Sequence, residues 1–248
     1  MALKFNDEYS GMKKLGIIAA PGWFDPTLSE FVNRHGFELH VTQTILTPVG
    51  FDYSFEAIRQ SGAGLEIAAC QLAEAGVDFI AQVGPAFAYF AGGTTTGAKR
   101  LQEHLSETCG VSVSLNGVAV FNELEKIGAK KLAVACPYYA PDWKVEMSEY
   151  LGGSGYSIQA FQTFVEQGLF AKQEEVAARA YQFSDEEVID SVKRTCAAAP
   201  SADAVMIGGS GVRTHHWLER VQAEVGMPIV SADRALYQSV VQCMGLNA

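Results

Sequence analysis

Chemistry-bearing residues concentrate between positions 204 and 217. There the apolar run Ala204 to Ile207 empties into Gly208, Gly209, Ser210 and Gly211, followed by Val212, Arg213, Thr214, His215 and His216. Glycines let backbone N–H groups approach an anion closely, and successive amides in such a turn form a nest for it. Gly209, Gly211 and the hydroxyls of Ser210 and Thr214 are therefore candidate carboxylate contacts. The fork of Arg213 can clamp a carboxylate bidentately or pair with a surface acid. A nucleophilic Ser210 needs an adjacent base. His215 or His216 can be that base or a general acid, since imidazole titrates near neutral pH, or both can be exposed side chains at a helix start. The bland alternative for the whole stretch is an ordinary glycine-rich turn from strand to helix. Elsewhere, Asp233 follows the last apolar run and is either a base facing the same place or the N-cap of the final helix. Phe87, Tyr89 and Phe90, with Trp23 and Phe24, form either an apolar pocket wall or part of the core.

The elements that must hold these residues alternate between short apolar runs and amphipathic stretches, the pattern of βαβ units on parallel sheets. Strands are expected at 15–20, 38–45, 77–83 and 111–114, and again at 131–136, 157–164, 203–207 and 228–231. Helices are expected at about 31–34 (capped near Thr27 or Ser29), 55–75, 96–109, 118–127, 141–151, 184–199, 215–225 and 234–244. Ser184 and Glu187 have the spacing of a capping box. The second set of strands repeats the first at an offset of roughly 116–126 residues. Two similar α/β subdomains follow, 1–116 and 117–232, each with a four-stranded parallel sheet, with 233–248 as a closing helix. The loops after Val83 and Ile207 become counterparts facing each other across a cleft at the carboxyl ends of the strands.

Totals narrow the function. A formal net charge of −10 opposes a nucleic-acid partner, although one local arginine can reverse the field inside a pocket. No apolar run reaches membrane-span length, and the polar N-terminus lacks a signal-peptide core, so a cytoplasmic protein is expected. Five cysteines scattered singly suggest reduced thiols, and no metal-ligand spacing appears. His215 and His216 are adjacent and would point about 100° apart on a helix. No metal is expected.

The segment 128–138 (GAKKLAVACPY), the pair Arg213-Thr214 and the segment 227–235 (MPIVSADRA) carry a family resemblance. Over residues 15–245 the chain resembles the aspartate/glutamate racemase superfamily, in the branch of arylmalonate decarboxylases and maleate cis-trans isomerases. The resemblance implies a cofactor-free enzyme acting next to a carboxylate, with one cysteine on each of two equivalent loops. Loop amides and hydroxyls would stabilise an enediolate, with Pro21, Gly84, Pro85 and Ala86 among the substrate contacts. Here the first cysteine position falls on Gly84, followed by Pro85 and Ala86 where hydroxyl residues are usual; arylmalonate decarboxylases also have glycine at that first position. The second falls on Gly209, which can neither give nor take a proton. The two-thiol and one-thiol mechanisms therefore do not carry over. Tyr138 matches the family's tyrosine after the fifth strand and can donate to a carboxylate or enediolate, or pack with a solvated hydroxyl. Cys136 is either a relocated thiol or a small core residue. The expectation is a divergent, cofactor-independent lyase or isomerase on a small carboxylate, with a homo-oligomer left open and without nucleic-acid or membrane partners. The alternatives are a Ser/His hydrolase or lyase in the same cleft, or a non-catalytic binder of small acids.

Overall fold

The computed structural model describes residues 11–21, 25–36, 39–46, 54–135, 138–179 and 182–247. The first half runs β1 (Lys13–Ala19), α1 (Pro26–His35), β2 (Leu39–Ile45), α2 (Phe55–Arg59), α3 (Gly62–Glu74), β3 (Phe79–Gln82), α4 (Pro85–Gly92), α5 (Thr95–Cys109), β4 (Val113–Leu115) and α6 (Asn116–Lys126). The second runs β5 (Lys131–Ala135), α7 (Pro141–Gly153), β6 (Ser157–Gln162), α8 (Gln173–Ala178), α9 (Asp185–Ala198), β7 (Ala204–Ile207), α10 (Leu218–Val225), β8 (Ile229–Ser231) and α11 (Ala232–Met244). Each half holds a four-stranded sheet, ordered β2-β1-β3-β4 and β6-β5-β7-β8. All pairings are parallel, as with Leu15 opposite Phe79 and Leu132 opposite Ala204. The two halves thus share one strand order, and β3 and β7 occupy equivalent inner places, buried along their whole lengths as strands covered on both faces must be.

The halves are sewn together. One core cluster joins Ile80, Leu115 and Phe121 of the first half to Leu132, Val134 and Tyr150 of the second. Helix α11 returns to the first sheet, where Leu236, Tyr237, Val240 and Met244 pack with Leu15, Ile17, Phe79 and Ala81. No helix among the described residues is long and apolar enough to cross a membrane.

Several boundaries differ from expectation. The helix expected at 55–75 is two, broken between Gln60 and Gly62, where Ser61 packs its hydroxyl onto the Ile58 carbonyl at 2.7 Å. Asp25, not Thr27 or Ser29, caps α1, accepting the Thr27 amide at 2.9 Å with Pro26 in the first turn. Helix α4 was not anticipated, because a largely buried element without a single charged residue carries no amphipathic period. The short helix α8 was also missed. Helix α10 starts at Leu218, which leaves His215 and His216 in the turn before it. The Ser184–Glu187 capping box is present in both directions, at 3.2 and 2.8 Å.

Candidate functional site

A cavity of about 290 Å³ opens between the halves at the carboxyl ends of β1, β3, β5 and β7. The first half lines it with Ala20, Ile58, Gly84, Pro85, Ala86 and Phe87. The second contributes Tyr138, Tyr139, Ala140, Trp143, Gln173, Val176, Ala177, Phe183, Gly209 and Ser210.

The wall after β3 is built around Gly84, whose φ of +102° suits glycine alone. A Cβ there would meet the Phe87 ring at 2.9 Å. Asn116, buried at the start of α6, fixes this corner from behind. Its Oδ1 accepts the Gly84 amide at 3.2 Å, and its Nδ2 donates to the Ala232 carbonyl at 2.6 Å. Gln82 Nε2 donates to the Gly84 carbonyl at 3.0 Å. These bonds aim the first turn of α4 at the cavity. Pro85 stands in that turn and no side chain caps it, so its partial positive charge is available to a bound anion.

The opposite wall has a tighter interlock. A Cβ on Gly209 would lie 1.7 Å from the Tyr138 hydroxyl and 2.4 Å from Cζ. The phenol therefore fills the volume that any side chain at position 209 would need. Its O–H donates to the Ser210 carbonyl at 2.8 Å. The ring lies parallel to Phe183 with centroids 6.1 Å apart and meets Tyr139 edge-on at 5.4 Å. Tyr139 donates to the Gly208 carbonyl at 3.4 Å and packs on Trp143. Gln173 of α8 donates to the Tyr138 carbonyl at 3.0 Å and closes this side.

The lining contains no Asp, Glu, His, Lys, Arg or Cys among the described residues. Its polar groups are hydroxyls, one carboxamide, an indole and backbone. Such a lining can orient one carboxylate through amides and hydroxyls while holding an apolar substituent against Ile58, Phe87, Trp143 and Val176.

Of the residues singled out in the sequence, Gly84, Pro85, Ala86, Tyr138, Gly209 and Ser210 converge here. Pro21 is buried beside Ala20 but does not line the cavity. Cys136, Trp23 and Phe24 lie outside the described residues. Phe87 is a wall of the cavity, whereas Tyr89 and Phe90 are core, packing with Tyr150. Gly211 and Arg213 line a different cavity, of about 410 Å³, with Pro26, Arg179, Asp185 and Glu187; Phe183 borders both. The φ of +86° at Gly211 turns the chain, and Arg213 beyond it is exposed.

Neither His215 nor His216 lines the cavity or hydrogen-bonds Ser210. His215 contacts Arg34, while burial, then Arg34 and Arg234, lowers its pKa. His216 is held between Asp185 at 2.6 Å and Glu30 at 3.3 Å on the surface. Thr214 is fully buried; its amide and hydroxyl donate to Asp233 at 2.8 and 2.7 Å. Asp233 is thus neither a base in this cavity nor the N-cap of α11, a place taken by Ser231. It anchors the 208–214 loop from inside, with burial raising its pKa. Asp25 lies close enough to feel that carboxylate. Burial first, then its acidic neighbour, raises Asp25 from the usual 3.8 to about 6 against the pull of its Thr27 hydrogen bonds.

Sequence reasoning missed Asn116, Tyr139, Trp143, Gln173 and Phe183. Asn116 alone carried a signal, a polar residue at the junction of an apolar strand and a helix. The others come from segments whose course only the packing reveals. Among the described residues no three His, Cys, Asp or Glu side chains are grouped to hold a metal.

The arylmalonate decarboxylase family model matches residues 28–248. An arylmalonate decarboxylase from Bordetella bronchiseptica is 22% identical over 203 residues, covering 82% of this chain and 77% of that protein. A doubly substituted arylmalonate decarboxylase in its liganded form superposes with a TM-score of 0.75 at 18% identity, over 96% of this chain and 94% of that one. A mutant Nocardia farcinica maleate cis-trans isomerase holding a covalently bound succinylcysteine intermediate superposes with a TM-score of 0.65 at 19% identity, over 95% and 94%. These likenesses establish the fold, two facing parallel sheets with the same layout.

Proposed function

Because the chain belongs to the arylmalonate decarboxylase family, we propose that its cavity is the site of a cofactor-independent lyase or isomerase acting next to a carboxylate. The substrate class is a small organic acid with an aromatic or aliphatic substituent, sized to the cavity of about 290 Å³. One observation carries the reading. The Tyr138 hydroxyl occupies the side-chain volume of position 209, the position at which the resemblance puts a thiol. A phenol therefore reaches the reaction space from the wall where the family's proton donor belongs.

In a decarboxylation, cleavage of the carbon–carbon bond releases neutral CO2 and leaves an electron pair on the α-carbon, delocalised as an enediolate. The retained carboxylate lies at the uncapped start of α4, whose dipole favours the developing charge. Tyr138 releases the Ser210 carbonyl, gives its proton to the α-carbon and regains one from water. The uncharged lining disfavours a full carboxylate more than a dispersed charge, which favours the departing state.

The test uses metal-free protein, without added cofactor, on substituted malonates, maleate and 2-hydroxy acids, following CO2 or isomer formation. Tyr138→Phe should lower kcat on the order of 10²-fold or more with a smaller change in KM. A variant as active as the parent would remove Tyr138 from the chemistry.

A second reading, a non-catalytic binder of small acids, is favoured by the lack of any strongly acidic or basic side chain in the lining among the described residues. It predicts ligands that raise Tm progressively with their concentration and are recovered unchanged.

A further inference from the structure

Away from the cavity, two cysteines meet. Cys70 lies in the middle of α3, Cys109 is the last residue of α5, and their sulfurs are 3.0 Å apart. Both are partly exposed. The two helices pack side by side and run in the same sense. One turn earlier along the seam, Glu66 of α3 meets His104 of α5 at 2.9 Å. The seam is thus anchored one turn before the sulfurs. Gly110 follows in the left-handed conformation and ends α5. Ser106 holds the Val113 amide at 3.0 Å and Gln102 holds the Leu115 amide at 2.8 Å, tying the end of α5 to β4.

We infer that Cys70 and Cys109 form a reversible disulfide, an oxidative modification site that staples α3 to α5. An approach of about 1 Å takes the sulfurs to the roughly 2.05 Å of the bond. A shared metal does not compete for them, since no third ligand of suitable type is grouped with them among the described residues. Sequence alone separates the two thiols by 39 positions, with none of the close spacings that mark a redox pair.

The oxidant is a small disulfide, R′SSR′. The Cys70 sulfur attacks one of its sulfurs, forming a Cys70–SR′ mixed disulfide and releasing R′SH. The Cys109 sulfur then attacks the Cys70 sulfur, R′S leaves with the Cys109 proton as a second R′SH, and the protein is oxidised by two electrons. Burial, then the Cys70 sulfur, pushes the Cys109 thiol up to about 12. The thiolate is the attacking form, so a thiol held this high exchanges slowly. Uncatalysed exchange of this kind takes minutes to hours.

Folded protein incubated in glutathione buffers of increasing oxidised fraction tests the proposal. Intact mass should fall by two hydrogens, and peptide mapping should join the peptides of Cys70 and Cys109. Tm should rise by roughly 8–16 °C, as expected for closing a loop of this length in a chain of this size, and dithiothreitol should reverse it. Cys70→Ser and Cys109→Ser should each lose the mass change and the Tm shift. An unchanged mass, glutathione adducts without a cross-link, or a cross-link through Cys136, Cys196 or Cys243 would overturn it. The mapping is done on the parent protein, so the result stands even if a serine variant fails to fold.

Discussion

Gly209→Ala is the sharpest probe of the cavity wall. The glycine does not have a left-handed φ, so alanine costs nothing in backbone strain and the whole effect comes from the added methyl. That methyl would sit 1.7 Å from the Tyr138 oxygen and 2.4 Å from Cζ, a conflict that no shift of a few tenths of an ångström relieves. The ring must swing away. It then gives up its hydrogen bond to the Ser210 carbonyl, a contribution of about 0.5–1.5 kcal/mol. It also leaves its packing against Phe183 and Tyr139, about 0.5–1.5 kcal/mol more. The expected loss is about 1–3 kcal/mol, read as a lower urea midpoint with an unchanged slope. Placed on Tyr138→Ala, where the ring is gone, the same substitution should cost under about 0.5 kcal/mol, so the double-mutant cycle should show a coupling of about 1–2.5 kcal/mol. Tyr138→Phe is the wrong partner, because Cζ itself clashes. Additive effects, or a neutral Gly209→Ala in the parent, would refute the interlock and with it the idea that the phenol stands in for a side chain at 209.

Two further outcomes follow from buried polar groups. Asn116→Ala should cost about 2–4 kcal/mol, because it strands the Gly84 amide and the Ala232 carbonyl at once; a urea midpoint within 0.5 kcal/mol equivalents (about the noise of surface substitutions) would count against the bridge. Asp25, at about 6 in the fold against 3.8 unfolded, holds its proton more tightly when folded. Its contribution to stability is therefore complete below about pH 4 and is lost as pH rises through 6, by up to about 3 kcal/mol. Asp25→Asn keeps the capping oxygen and should flatten the fall of Tm between pH 4 and 7, leaving the same-signed share of Asp233; parallel Tm profiles for the two proteins would sink this assignment.

Much of the architecture was legible because it is periodic. Strand runs ended by glycine or proline, a repeat of the whole unit and the equivalence of the β3 and β7 loops placed the cleft between the halves. What escaped has physical reasons. Helix α4 shows no polar face because most of it is buried and the rest lines an apolar wall of the cavity. Arg213 looked like part of the cradle because it is four residues from Gly209, but the turn at Gly211 carries it to the neighbouring cavity. Asp233 was weighed as a base or a cap because sequence cannot show which distant hydroxyl a carboxylate meets; it meets Thr214. The Tyr138 interlock joins segments 72 residues apart, and nothing local in either marks the other.

The return of α11 onto the first sheet has a consequence for how the chain is made. Leu15, Ile17, Phe79 and Ala81 are emitted early from the ribosome, yet the face they form is covered by Leu236, Tyr237 and Val240. Until α11 has been synthesised, only α1, through Phe31, covers part of that face, and the rest is the kind of apolar surface that chaperones bind and that aggregates. The second half can assemble β5 to β8 behind it, but the nascent first half must wait for the whole second half before its own sheet is closed.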